Sequence, residues 1–423
     1  MFLFFFLSLT EITRFSTWCN GISTGDCEAE LQQTDNEFSF SHIGEKDYSV
    51  TSPRISCQPG DEVTVTGDVF YIKGDAKFQI IPYDFNNDPD WSFQSYPVVD
   101  SPGGYATYTR KWIIPGNSRN FTFRFVGSNI TNFKFKSIKW DITGHYDAPT
   151  IRNVELENSN IKLTYDTLLL NMTIHDKTTQ RTWTQRRQTI GGTTINLKTT
   201  SSSISIDTIT QDNLIHFNIE LLEDGFRSTV ALDNNNSEIL PPDYPFPFIS
   251  SLGDRIVLPY CEGITLPVDL TELLGRDEFY YSIYSLSMAF VGQTNDLSSM
   301  IIIFETPYDS SVAVVRYNEE YLYIKPRFSL EKGRFSYPRK LRYVFLEGNH
   351  VSIAKRYRKY AQEKGYLVPF TEKIKTRPNV DKLIGAVNVW TVGSFNINKI
   401  KLYTEMQSLG NRTNIIIRWR INQ

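Results

Sequence analysis

Period-two alternation through the first third, a longer run of strand-like segments after it, and a late switch to helical spacing mark this 423-residue chain as mainly β. The expected order is a β-sandwich, a longer run of further strands, a helix, and then an apolar strand of the kind buried on both faces in parallel barrels. This length accommodates two to three domains, each with its own core.

From Glu37 to Ile142 the alternation is carried by DEVTVTG, YATYTRKWIIP, NFTFRFVG and NFKFKSIKWDI, read as separate strands divided by Gly, Pro, Asn and Ser turns. In the last of these Phe133, Phe135 and Ile138 fall near one face, and Lys134 and Lys136 face water. That is the pattern of an antiparallel sandwich, ending near Ala148.

Between Ala148 and Gly348 the strand candidates are IKLTYD, LLLNMTIHD, LIHFNIEL, SMIIIFETP, VAVVRYN and YLYIKP. In LLLNMTIHDKTTQRTW the polar DKTTQ stretch separates two strand-like runs and fits a hairpin turn. The Thr-, Ser- and Gln-rich segment 178–205 and the loop Asp233–Glu238 need no role beyond connection.

In GNHVSIAKRYRKYAQEKG the positions Ile353, Ala354, Tyr357, Tyr360 and Ala361 recur at helical spacing, with Asn349 placed to cap and Gly365 to stop the helix. Its basic residues are read as a solvated face. VDKLIGAVNVWTVG, Val380 to Gly393, then reads as the barrel-type strand.

Charge and targeting narrow the function classes. A net charge of -3 with Lys and Arg spread along the chain supplies no basic stripe for nucleic acid. The apolar run Phe2–Leu9 is too short to span a bilayer and suits a secretory leader over residues 1–18, the alternative being a buried terminal strand. No later run is long enough for a membrane span. Sequons at Asn120, Asn129, Asn171, Asn235 and Asn411 agree with a secreted or lumenal glycoprotein. Cys19, Cys27 and Cys57 cluster and permit one disulfide among them; Cys261 stands apart.

Short catalytic motifs carry little weight in this sequence. GISTG at Gly21–Gly25 matches a nucleophile elbow in letters only, since no strand precedes it and no helix follows. The histidines are scattered, and His175 and His350 suit packing or capping. Asp84-x-Asn86-x-Asp88-x-Asp90 has calcium-loop spacing but carries Pro89 where the turn needs Gly and lacks a closing Glu, so a solvated acidic loop is favoured and no cofactor is expected.

The run RYVFLEGNHVSIAKRYRKYAQEKGYLVPFTEKIKTRPNVDKLIGAVNVW resembles glycoside hydrolase family 129, related to the endo-α-N-acetylgalactosaminidases of family 101. HDKTTQRTW, LPYCEGITLP and IFETPYDSS look like the same family's sandwich region. The resemblance implies a sandwich over 148–348, a linking helix over 349–370, and over 371–423 the first two strands of a (β/α)8 barrel, IGAVNVW and TNIIIRWRI, with a helix around Lys399–Leu409 between them. It also implies mucin-type O-glycans as partners. The family's paired carboxylates lie on later barrel strands, so the chain reads as a truncated member, no catalytic residue is assigned, and catalysis by the chain as encoded is not expected. Asn388 and Trp390, at the end of the first barrel strand, are the candidates for substrate contact there.

The first region, 19–147, is similar to a jelly-roll carbohydrate-binding module through ISCQPGDEVTVTG, YTRKWIIP and FTFRFVG. Sugar rings present an apolar C–H face, so a binding surface needs aromatic planes beside hydroxyl-binding groups. IPYDFNNDPDWSFQSYP supplies Tyr83, Trp91 and Tyr96 as planes and Asp84, Asn86 and Asp90 as polar partners. Trp112 and Trp140, in alternating strands, are expected to pack in the core or at its rim. Glu262, Glu305 and Asp309 fall in family-like segments, where a structural hydrogen-bond role is favoured.

Overall fold

The computed structural model describes the chain apart from residues 1–9, 12–15, 20–28, 34–36, 43–47, 85, 87–94, 98–103, 187–191, 211–212, 234–240, 272–277, 318–320, 330–334, 336, 385–386, 393–403, 405–412 and 419–423. The chain is mainly β, as its alternation dictates, and forms two compact units, Met1–Ile353 and Ala354–Gln423.

Two long antiparallel strands, Asp61–Asp84 and Ser118–His145, organise the first module and pair from Ser118↔Asp84 to His145↔Asp61. The alternation predicts two strands, NFTFRFVG and NFKFKSIKW, where the second of these runs. The structure joins them into one, interrupted by register shifts between Ser128 and Asn132 and between Asn132 and Phe133 rather than by a turn. Extra residues in one strand of a pair bend it and sharpen its twist, so the ladder turns a corner without ending.

Different neighbours flank the two halves of this pair. Ala106–Ile113 pairs with the start of Asp61–Asp84, and Ser95–Pro97 pairs with its end. Tyr48–Thr51 pairs with the early part of Ser118–His145, and Phe38–His42 with the later part. Thr10–Glu11 and Ser16–Cys19 also pair into this sheet. The halves face each other across one core: Phe78 lies 5.4 Å from Trp112 and 4.2 Å from Phe123. Trp112 is buried as expected, and Trp140 packs on the core's margin.

Residues 148–353 contain four-stranded, nine-stranded and three-stranded sheets among the described residues. Their inward faces share one core that includes Leu163, Ile174, Trp183, Phe217, Phe226, Ile302 and Tyr343. Strand Ile161–Asp166 shows the strict buried and half-buried alternation of a sheet covered on one face, whereas Ser298–Phe304 is buried throughout.

Two expectations need correction here. LLL at 168–170 is a turn, with Leu170 at φ 57, and the strand begins at Met172. The Asp166 carboxylate accepts from the amides of Leu168 and Leu169 and so fixes that turn. The polar segment 178–205 contributes the strand Thr193–Thr199 rather than serving only as a connection, while Arg181–Thr184 is the strand-like run expected after DKTTQ. Threonine's branched side chain suits a pleated surface regardless of its polarity. DKTTQ does form a hairpin turn, held by Asp176 Oδ1 accepting from the Thr178 amide at 2.9 Å.

Helix α1, His350–Glu363, is capped as its sequence dictates. Asn349 Oδ1 accepts from the Val351 amide at 3.0 Å, and Gly365 at φ +70 ends the helical run. A second helix, α2, spans Phe370–Thr376.

The strand expected from Val380 onward starts later. Pro378–Leu383 is a 3-10 helix, and the strand is Val387–Val392. Proline's fixed φ suits a helical turn, and the β-branched residues concentrate in the later half. Val387–Val392 pairs in parallel with Thr413–Arg418. The helix expected around Lys399–Leu409 lies outside the described residues except for Thr404.

Candidate functional site

Of the first-module residues nominated from sequence, Trp91 and Asp90 lie outside the described residues, as does Asp88 of the calcium-like spacing. Asp84 closes the strand Asp61–Asp84, and Tyr96 pairs with Phe78 in the neighbouring strand. Asn86 is exposed in a turn. Tyr83 is half-buried, and the Arg54 guanidinium lies 4.3 Å from its ring centroid. One face of that ring is therefore already covered by a cation. Among the described residues no group of three or more His, Cys, Asp or Glu side chains is arranged to hold a metal ion.

Asn388 and Trp390 both fall on Val387–Val392, opposite Asn414 and Ile416 of the parallel partner strand. Of the sequons, Asn120 is half-buried within a strand, Asn129 lies in the same strand, and Asn171 is half-buried beside a turn. Asn235 and Asn411 lie outside the described residues. Among the described residues no helix is long and apolar enough to cross a membrane.

The acidic residues of the family-like segments divide by environment. Glu262 is exposed. Glu305 holds Arg227, with Oε2 2.7 Å from Nε. Asp309 is fully buried against Arg339 and also accepts from the Tyr337 hydroxyl. Both paired residues have the structural role expected of them.

One concavity among the described residues draws on residues that the sequence did not single out. It is a cleft of about 380 Å³ where the first module meets the second sandwich. Glu62 and Lys111 stand on one wall as a 2.9 Å ion pair. Thr143 Oγ1 donates to the same Glu62 oxygen at 2.7 Å, and the Tyr146 hydroxyl lies 3.4 Å from the other. Partial burial alone would raise the Glu62 carboxyl, but the hydrogen bonds from Thr143 and Lys111 and the lysine charge outweigh it and hold the group below the usual carboxylate range.

The opposite wall is set by a bulge in Thr193–Thr199. The register slips between Ile195 and Lys198, and Asn196 takes a left-handed conformation at φ 57. Its backbone amide donates to Asp147 O at 2.8 Å, and its Nδ2 donates to Asp207 at 3.0 Å. Asp207 in turn meets His216 Nδ1 at 2.7 Å. Two close approaches seat the walls. Thr193 Oγ1 donates to Ile113 O, and a Cβ on Gly116 would be driven into the Pro149 carbonyl. The one sequence signal for this site is a lone asparagine amid Thr- and Ile-rich strand residues, in a segment read as connection.

No family model matches the chain, and no curated protein matches it. Solved structures do. The complex of the Bifidobacterium bifidum α-N-acetylgalactosaminidase NagBb with GalNAc aligns at 17% identity over 62% of this chain and 51% of that one, with TM-score 0.51. The Gal-NHAc-DNJ complex of the same protein gives the same identity, coverage and score. The CBM22-1 xylan-binding domain of Paenibacillus barcinonensis Xyn10C aligns at 11% identity over 32% of this chain and 92% of that domain, with a TM-score of 0.23, too low to support a common fold. The chain thus spans about half the length of the α-N-acetylgalactosaminidase it matches, and over the matched part it shares that glycosidase's fold.

Proposed function

We propose that this protein is a secreted, glycan-directed relative of α-N-acetylgalactosaminidases, of the family 129 type, and that the sugars it meets are those of mucin-type O-glycans. The observation that carries this reading is the fold shared with NagBb over 62% of the chain. The helix followed by two parallel strands, Val387–Val392 and Thr413–Arg418, supports it, because a β-strand followed by a parallel neighbour is how a (β/α)8 barrel opens. Asn388 and Trp390 are the residues proposed to meet substrate on that element. Tyr83, Asp84, Asn86, Asp90, Trp91 and Tyr96 are proposed as a sugar-facing group in the first module. Glycosylation at the five sequons belongs to the same secreted reading.

The test pairs a hydrolysis assay with a binding assay on the full chain. Retention of glycans ending in α-linked N-acetylgalactosamine, with no release from p-nitrophenyl α-N-acetylgalactosaminide, supports recognition without turnover by this chain. Release that disappears with a single Asp or Glu substitution makes it the enzyme itself. Neither binding nor release sinks the reading.

A further inference from the structure

The cleft between the first module and the second sandwich is not among the groups assigned above, and its lining has a definite chemistry. About 380 Å³ falls within the roughly 300–1,000 Å³ range of small-molecule sites. Its charged pair, Glu62 and Lys111, is mutually neutralised at 2.9 Å, so the cleft has no net charge of its own with which to select an ion. What remains is a mixture of donors and acceptors: the Lys111 ammonium, which is more than half exposed, the Tyr146 hydroxyl, and the carboxamides of Asn196 and Asn213. Beside them lie the apolar surfaces of Ile195, Ile209 and Leu214.

A ligand that satisfies such a lining carries several groups able both to donate and to accept, has no net charge, and shows a C–H face. A pyranose has all three properties. A purely apolar ligand would take water from the Lys111 ammonium and the asparagine carboxamides without replacing its hydrogen bonds, which is unfavourable. An anion would meet Glu62, and a cation would meet Lys111.

Both walls are built in advance. Glu62 is fixed by Lys111, Thr143 and Tyr146. Asn196 is held on its bulge by Asp147 and Asp207, in a conformation that non-glycine residues seldom adopt.

We propose that this cleft is a subsite for one or two residues of a neutral saccharide, read by Lys111, Tyr146, Asn196 and Asn213 with the sugar's C–H face against Ile209 and Leu214. The inference rests on the glycan-directed reading and adds a place where the glycan sits, separate from the first-module aromatics and the barrel-type strands.

The experiment is a titration of the full chain with N-acetylgalactosamine, galactose and, as an anionic comparator, glucuronic acid, followed by saturation-transfer NMR and calorimetry. The expected result is binding of at least one neutral sugar in preference to glucuronic acid. Asn213→Trp, which plugs the cleft, should weaken it about tenfold or more, and Asn213→Ala several-fold, while Cys261→Ser, at an exposed position outside the cleft lining, leaves it within about twofold. Should Asn213→Trp not fold, as judged by its melting curve, Asn213→Ala alone carries the comparison. Binding that survives the Asn213 substitutions but vanishes with Tyr83→Ala overturns the cleft and leaves the general reading standing. A chain that binds neither neutral sugar overturns the cleft proposal outright, and absence of binding on a wider set of glycans would remove the general reading with it.

Discussion

Arg339 Nη2 lies 2.7 Å from Asp309 Oδ2, and both side chains are wholly withdrawn from water. The guanidinium stacks on Tyr337 at 3.5 Å from the ring centroid and donates to Tyr337 O. Burial pulls the guanidinium below its usual value, and the Asp309 charge opposes that pull. Taking away one member of such a pair leaves a desolvated charge with no counterion. Asp309→Ala should therefore destabilise by about 3–5 kcal/mol in a chemical denaturation curve. A loss under about 1 kcal/mol, the range of solvent-exposed pairs, would mean that water reaches this one.

Phe125 and Phe135 belong to the same strand, yet their rings are 4.6 Å apart. A straight strand would separate them by about 33 Å at ~3.3 Å per residue, so the strand must fold back across the register shifts between Ser128 and Phe133. Both are buried in the first module's core. Phe125→Ala should cost about 3–5 kcal/mol and lower the unfolding midpoint of the first module. A neutral result would contradict the folded-back strand.

The two described free thiols should differ sharply in reactivity. Burial, helped by the Asp61 charge, pushes the Cys57 thiol up to about 12, whereas Cys261 is exposed. Since the thiolate is the nucleophile, iodoacetamide at about pH 8 should label Cys261 first and Cys57 only on unfolding. Peptide mapping by mass spectrometry reads this directly, and rapid labelling of native Cys57 would contradict it.

Glu62 also sets a pH dependence. Its folded-state value lies below its unfolded one, so the stabilisation it brings is present at neutral pH. That stabilisation is lost as the solution is acidified through the usual carboxylate range and below. The melting temperature of wild type should fall more between neutral and mildly acidic conditions than that of Glu62→Gln. Parallel curves for the two proteins would show that the Lys111 and Thr143 bonds do not hold in solution.

Local chemistry was legible in the sequence; long-range assembly was not. The Asn349 cap, the Gly365 stop and the Asp176 hairpin turn depend on residues within a few positions of one another, and each formed where expected. The alternation around Phe133 and Phe135 marked a sandwich strand but could not show that NFTFRFVG and NFKFKSIKW are one strand, because Gly127, Ser128 and Asn129 between them suit a turn as well as a bulge. The run from Val380 misled for a different reason: apolar runs of this length read alike in helix and strand, and only the β-branched half became strand. The cleft was invisible because Glu62 and Asn196 are far apart in the chain and line one cavity only where the first module packs on the second sandwich.

An array of neutral and sialylated O-glycans, probed with the 423-residue chain, reads the proposed glycan recognition without an intermediary. Dose-dependent retention of structures ending in N-acetylgalactosamine or galactose, competed by the free sugar, is the predicted result. A folded protein that retains none of them would contradict it.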